Sequence, residues 1–146
     1  MIAYVDSSSI LRYIINRDAS INHAFSAGRV GSSILLEIEC RRVLHRYRMN
    51  GDLSDSDYEA CVYLLDSTLA SITLAPMSPA IEKVAMAAFP FAVTTLDAIH
   101  LATALVLRDR EPDETILVFS HDIGMNRCAR VLGFGVPLAA DPFFPH

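Results

Sequence analysis

At 146 residues, 52% of them hydrophobic, the chain has the size of one ordinary domain and enough apolar content to fill a single core. Its formal charge of −5 excludes a protein that grips nucleic acid through a general basic surplus, so any such contact has to be local. No apolar run nears the roughly 18 residues that suggest a membrane span, and Met1 to Asp6 lacks a basic leader region and a cleavage site, so the expected location is the cytosol. Cys40, Cys61 and Cys128 lack close spacing and fit buried free thiols better than a disulfide framework or a zinc site. Eleven of the twelve basic residues are Arg, which suits bidentate phosphate contacts, although a biased base composition gives the same count.

The run Ile2 to Val5 reads as a strand buried on both faces, ended by Asp6. Ser7, Ser8 and Ser9 are able to cap a helix in which Ile10, Leu11, Ile14 and Ile15 recur at helical spacing. An amphipathic piece near Ile21 to Ala27 leads to a brief strand at Arg29 to Gly31. Ser32 or Ser33 is expected to open a helix that stops before Asn50 and Gly51. Ser54 and Asp57 resemble a capping box for a helix carrying Tyr58, Val62, Leu65 and Leu69, and Ile72 to Ala75 reads as a strand. Ile81 to Ala88 reads as a helix stopped by Pro90. Thr94 or Thr95 caps an apolar helix over Asp97 to Leu107. Ile116 to Phe119 is a further strand, Ile123 to Leu132 a helix with Gly133 just past its end, and a last strand is expected near Val136 to Ala139. Short strands alternating with helices predict a three-layer α/β/α domain with a short, mainly parallel sheet, whose ligands bind beyond the carboxyl ends of the strands.

Four acids stand out against this frame. Asp6 and Asp122 each follow a buried strand and precede a helix, and each taken alone reads as a helix cap. Glu39 has Leu35 and Leu36 before it and Val43 after it, at the edge of an apolar helix face, with Arg42 as its local partner. Glu37, by contrast, is explained by an ion pair with Arg41 one turn on. Asp97 lies in the first turn of a buried helix, where the macrodipole favours an acid by about 0.3 to 1 kcal/mol. His100 and His121 read more readily as hydrogen-bonded histidines than as ligands. If the acids meet at one sheet edge, their repulsion calls for a hard cation such as Mg²⁺ or Mn²⁺, and carboxylate-bound ions of that kind favour phosphoryl chemistry. No nucleophile elbow, glycine-rich phosphate loop or dinucleotide fingerprint is present.

Four segments together resemble the PIN-domain ribonucleases, in particular the VapC-type toxins of bacterial toxin-antitoxin pairs: Tyr4-Val5-Asp6-Ser7-Ser8, the stretch SILLEIECRRVL from Ser33 to Leu44, the stretch TLDAIHLATAL from Thr95 to Leu105, and VFSHD from Val118 to Asp122 with the following Cys128 to Gly133. The resemblance spans nearly the whole chain in the same order. It implies a single PIN-like domain, an endoribonuclease dependent on Mg²⁺ or Mn²⁺, and Asp6, Glu39, Asp97 and Asp122 as catalytic metal ligands. It places the hydroxyls of Ser7 and Ser120 near the metal. It also implies a homodimer and a cognate antitoxin partner, and an acidic toxin suits a basic partner. Many relatives carry a further acid where this chain has Gly124, which bears on a second metal ion. Arg41, Arg42 and Arg46, with His45 and Arg48, form a candidate face for RNA or antitoxin, or simply a solvated helix surface.

Two other readings compete. A PIN fold without catalysis, serving as a scaffold in an antitoxin complex, draws on Gly124. A receiver-like phosphoacceptor fits poorly, because the only lysine, Lys83, falls inside an expected helix rather than at a strand end.

Overall fold

Four strands, Ile2–Val5 (β1), Arg29–Ser33 (β2), Thr73–Ala75 (β3) and Ile116–Phe119 (β4), form the centre of the computed structural model, which describes residues 1–139. The helices are Ser7–Asn16 (α1), Asn22–Phe25 (α2), Leu35–Met49 (α3), Asp55–Leu69 (α4), Pro79–Ala85 (α5), Thr95–Arg110 (α6) and Ile123–Val131 (α7), with a 3-10 turn at Ala19–Ile21. The sheet order is β3-β2-β1-β4 and every pairing is parallel. Parallel neighbours need long crossovers, which is why helices separate the strands in sequence.

Side chains along a strand alternate between faces, and in β1 this divides the core in two. Ala3 and Val5 pack with Ile10 and Ile14 of α1, Leu36 and Leu44 of α3, and Leu65 of α4. Ile2 and Tyr4 pack with Leu101 and Ala104 of α6 and with Met125 and Cys128 of α7. Both faces of the sheet are thus covered, as the uninterrupted apolar runs predict, and the result is the expected three-layer α/β/α domain. All three cysteines are buried and free. No helix among the described residues is long and apolar enough to cross a membrane.

Several boundaries differ from the sequence reading, each for a local reason. Ser32 and Ser33 do not open α3 but end β2. The hydroxyl of Ser32 donates to Val5 O at 2.6 Å, while Ser33 Oγ accepts from Leu35 N across the turn. The helix expected from Ile81 begins earlier, at Pro79, because Ser78 caps it by accepting from Ile81 N and Pro79 occupies its first position. No strand forms over Val136 to Ala139. A single bridge joins Gly135 to Leu117, and the chain then turns at Pro137, which has no N–H to extend a ladder.

Because all strands run the same way, their carboxyl ends share one edge. There β1 delivers Asp6 and β4 delivers Ser120, His121 and Asp122, while α3 and α6 start nearby. The far end of α7, away from this edge, depends on Gly133, whose φ is +95° and whose N–H donates to Arg130 O. A Cβ there would be strained by the backbone itself and would stand 3.4 Å from Arg108 Nη1. Gly133→Ala is expected to lower stability by about 1–2 kcal/mol, read as a lower urea midpoint at unchanged slope. An unchanged midpoint would show that α7 does not need this left-handed stop.

Candidate active site

Asp6 sits where β1 ends and is only 4% exposed. Its carboxylate accepts three hydrogen bonds from its own neighbourhood. Oδ1 accepts from Ser8 Oγ at 2.7 Å and from Ser9 N at 3.2 Å, which caps α1, and Oδ2 accepts from Ser120 Oγ at 2.5 Å. Burial pushes its pKa above the ordinary aspartate range, and the hydrogen bonds from Ser120, Ser8 and Ser9 restrain that rise. Ser120 reaches Asp6 because β4 pairs with β1 in register, Val5 facing Phe119, and because Asn126 Nδ2 donates to Ser120 O at 2.8 Å.

Asp97 lies in the first turn of α6, half-buried, with its backbone N–H donating to the Thr94 cap. Its pKa is also raised, first by burial and then by the like charges of Asp122 and Asp6. That electrostatic coupling places three of the four sequence-selected acids around one region. Asp122 is solvent-exposed and accepts from Met125 N at 2.7 Å, so it caps α7 as the bland reading holds. Being a cap does not remove its charge from Asp97.

Glu39 joins the site through a different set of contacts. Its Oε2 accepts from Ser7 Oγ at 3.1 Å and its Oε1 meets His100 Nε2 at 2.6 Å. Arg42 is not its partner. His100 is buried on α6, and its Nδ1 lies 2.8 Å from the hydroxyl of Tyr4, a phenol whose pKa burial drives far upward. A tautomer with its proton on Nε2 satisfies all three groups, since Tyr4 then donates to Nδ1 and Nε2–H donates to Glu39. His100 is therefore a support for Glu39 rather than an exposed ligand. Tyr4 and Ser8 escaped the sequence reading. Tyr4 looked like one more strand residue and Ser8 like one more capping serine, and no local pattern reveals a partner about a hundred residues away.

The donor set fits a hard divalent cation in kind: carboxylate oxygens, hydroxyls beside them, and repulsion among Asp6, Asp97 and Asp122 that a cation relieves. A carboxylate offers roughly four acceptor positions, so Asp6, with three used, and Glu39, with two, keep lone pairs in reserve. Among the described residues no three His, Cys, Asp or Glu side chains form a group already spaced to hold a metal ion. The four acids share one end of the sheet without closing into a finished ligand shell.

The arginines on α3 are less available than the sequence suggests. Arg41 is paired with Glu37 at 2.7 Å and with Asp66 at 2.7 Å. Arg42 and Arg46 are exposed, and Arg46 lies 5.9 Å from the centre of the Tyr47 ring.

The coupling of Asp97 to Asp122 has a pH signature. A carboxyl whose folded pKa is raised binds its proton more readily in the native state, so its contribution to stability falls as pH rises from the unfolded value through the folded one. In metal-free protein, the Asp97 carboxyl carbon should titrate by NMR above the ordinary aspartate midpoint. Asp122→Asn should move that midpoint down. A midpoint indifferent to Asp122 would mean that the two carboxylates do not share a field.

No curated protein matches the chain. Among solved structures, the crystal structure of PAE2754 from Pyrobaculum aerophilum superposes with a TM-score of 0.61 at 16% identity, covering 92% of this chain and 81% of that one, a likeness of fold. The family model of the PIN domain matches residues 3–131, which takes in Asp6, Glu39, Asp97 and Asp122, and the chain therefore belongs to the PIN-domain family of metal-dependent nucleases.

Proposed function

We propose that this protein is an endoribonuclease dependent on Mg²⁺ or Mn²⁺, acting as the toxin of a toxin-antitoxin pair. The observation that carries the proposal is the arrangement at the carboxyl edge of the sheet, where Asp6 and Asp122 follow the paired parallel strands β1 and β4, Ser7 ties Glu39 to the same turn, and Asp97 has its pKa raised by burial and then by the charges of Asp122 and Asp6. Carboxylates that repel one another at a ligand-binding edge are costly unless a cation shares them. Asp6, Glu39, Asp97 and Asp122 would hold it. When bound, such an ion supplies Lewis acidity, making a water acidic near neutral pH and offsetting charge on the phosphodiester.

The protein's own groups have separable tasks. Ser120 and Ser8 orient the two oxygens of Asp6, and Ser7 with His100 fixes the plane of Glu39. Tyr4 holds the His100 ring from behind. Fixed supporting contacts of this sort are worth roughly 10- to 100-fold in metal affinity or activity. The PIN family implies a nucleic acid substrate, and RNA as that substrate, the antitoxin partner and the homodimer rest on the resemblance of the four segments to VapC-type toxins.

Purified protein is expected to cut single-stranded RNA with Mg²⁺ or Mn²⁺ and to stop in EDTA. Asp6→Asn and Asp97→Asn should each lower the rate at least about a hundredfold, since loss of a ligand removes several kcal/mol of transition-state stabilisation. His100→Ala should fall in between, with weaker Mn²⁺ binding by calorimetry. Growth arrest on expression in a bacterial host should follow cleavage activity across these variants. Full turnover by both Asn variants would sink the enzymatic reading, and Mn²⁺ binding without cleavage would favour a scaffold that has kept the fold.

A further inference from the structure

Beside the acidic edge lies a cavity of about 790 Å³ whose polar lining is Arg12, Ser20, His121, Asn126, Arg127 and Arg130, the rest of its wall being apolar side chains. Its volume is in the range of small-ligand sites. In a chain of charge −5, three arginines around one hollow form a local reversal of sign. Two of them, Arg127 and Arg130, sit three apart on α7 and therefore on one helix face. Neither is ion-paired among the described residues. Arg127 lies with its guanidinium carbon 3.9 Å from the centre of the Phe91 ring, which fixes the plane and leaves the N–H edge for an anion. Arg12 approaches from α1, where its Nη1 donates to His121 Nδ1 at 2.9 Å and only a long 3.9 Å contact joins it to Asp18.

Asn126 supplies an independent sign that the cavity takes a ligand. It is 6% exposed, its Nδ2 is committed to Ser120 O, and its Oδ1 is the buried side-chain acceptor left without a partner among the described residues. An unsatisfied buried acceptor costs about 1–3 kcal/mol, and a hydrogen-bond donor on a bound molecule would remove that cost. The cavity is also wired to the acids. The N–H of His121 donates to Ser8 Oγ, which donates to Asp6 Oδ1, and Asp122 is the next residue in the chain.

Building on the nuclease reading above, we propose that this cavity binds a ribonucleotide of the substrate strand next to the bond that is cut. Its phosphate rests on Arg12, Arg127 and Arg130, and its ribose hydroxyl donates to Asn126 Oδ1. The arginines give a local anchor that the overall charge denies the protein, and the hydroxyl contact separates RNA from DNA.

The test is metal-free binding, which needs no turnover. A fluorescein-labelled single-stranded oligoribonucleotide is titrated with the full chain in EDTA, by anisotropy, over a series of salt concentrations. Arg127→Gln with Arg130→Gln should weaken binding at least about tenfold and reduce the slope of log affinity against log salt by about 0.7 per lost phosphate contact. Arg12→Gln, on another helix, should move both readouts in the same direction. Arg29→Gln, at the opposite end of the sheet, should move neither. The DNA oligonucleotide of the same sequence should bind several-fold more weakly to the unaltered chain. In cleavage assays the double variant should raise KM far more than it lowers kcat. Unchanged affinity and slope in the double variant, or equal affinity for the two oligonucleotides, overturns the site while leaving the nuclease reading standing. Binding with these properties and no cleavage in Mn²⁺ supports the site and overturns the nuclease reading instead.

Discussion

The buried carboxylate of Asp6 is the constraint around which this molecule is arranged. A charge at the end of a strand sandwiched between two helical layers is strongly disfavoured unless polar groups or a cation meet it. Ser9 N meets it from α1, Ser8 Oγ from the same turn, and Ser120 Oγ from β4. The first two are local to the turn after β1, but the third requires β1 and β4 to run parallel in their observed register, so the sheet topology and the chemistry at its edge are linked. Even with three donors the carboxyl pKa stays raised, because burial outweighs them. Such a group has unspent affinity for positive charge.

From Asp6 the polar structure extends in two directions with different character. Toward α3 and α6 it is closed: Ser7, Glu39, His100 and Tyr4 satisfy one another in a chain that runs into the apolar core. Toward α7 it is open: Asp122 faces solvent, Asp97 is half-buried, and the Asn126 acceptor has no partner among the described residues. Rigid support on one side and unsatisfied groups on the other is the pattern expected where a ligand enters.

Much of the fold was legible in the sequence because its signals are local. The uninterrupted apolar runs of β1 and β4 reported burial on both faces, Ser54 and Thr94 marked helix starts through their own side chains, and Gly133 marked a stop. Misread boundaries arose where a residue's partner is distant. Ser32 looks like a cap until its hydroxyl meets Val5 O on the neighbouring strand, and Gly135 bridges Leu117 without a strand pattern around it. The same distinction holds at the site. The four acids were visible by position and by resemblance of whole segments, whereas Tyr4, Ser8 and the setting of His100 depend on contacts between residues 61 or more apart, or on which face of a turn a serine shows. The pairing of Arg41 with Glu37 is legible one turn away on the same helix, whereas its second partner, Asp66 of α4, lies 25 residues away and is not.

An acidic protein that must handle a polyanion faces a conflict that global charge cannot resolve. Long-range attraction is weak here, and at physiological salt fields fade over about 8 Å, so recognition has to come from groups almost in contact with the strand. The separation of signs within one stretch of chain answers this requirement. Asp122 and Arg127 with Arg130 belong to the same short helix, the acid at its N-terminus and the bases one and two turns on. The helix dipole favours that order, with the acid at the N-terminus and a base in the last turn. Cation-seeking and anion-seeking groups can then stand a few residues apart without neutralising each other. On the nuclease reading and the strand site proposed above, a single helix couples where a strand is held to where its backbone meets the carboxylates.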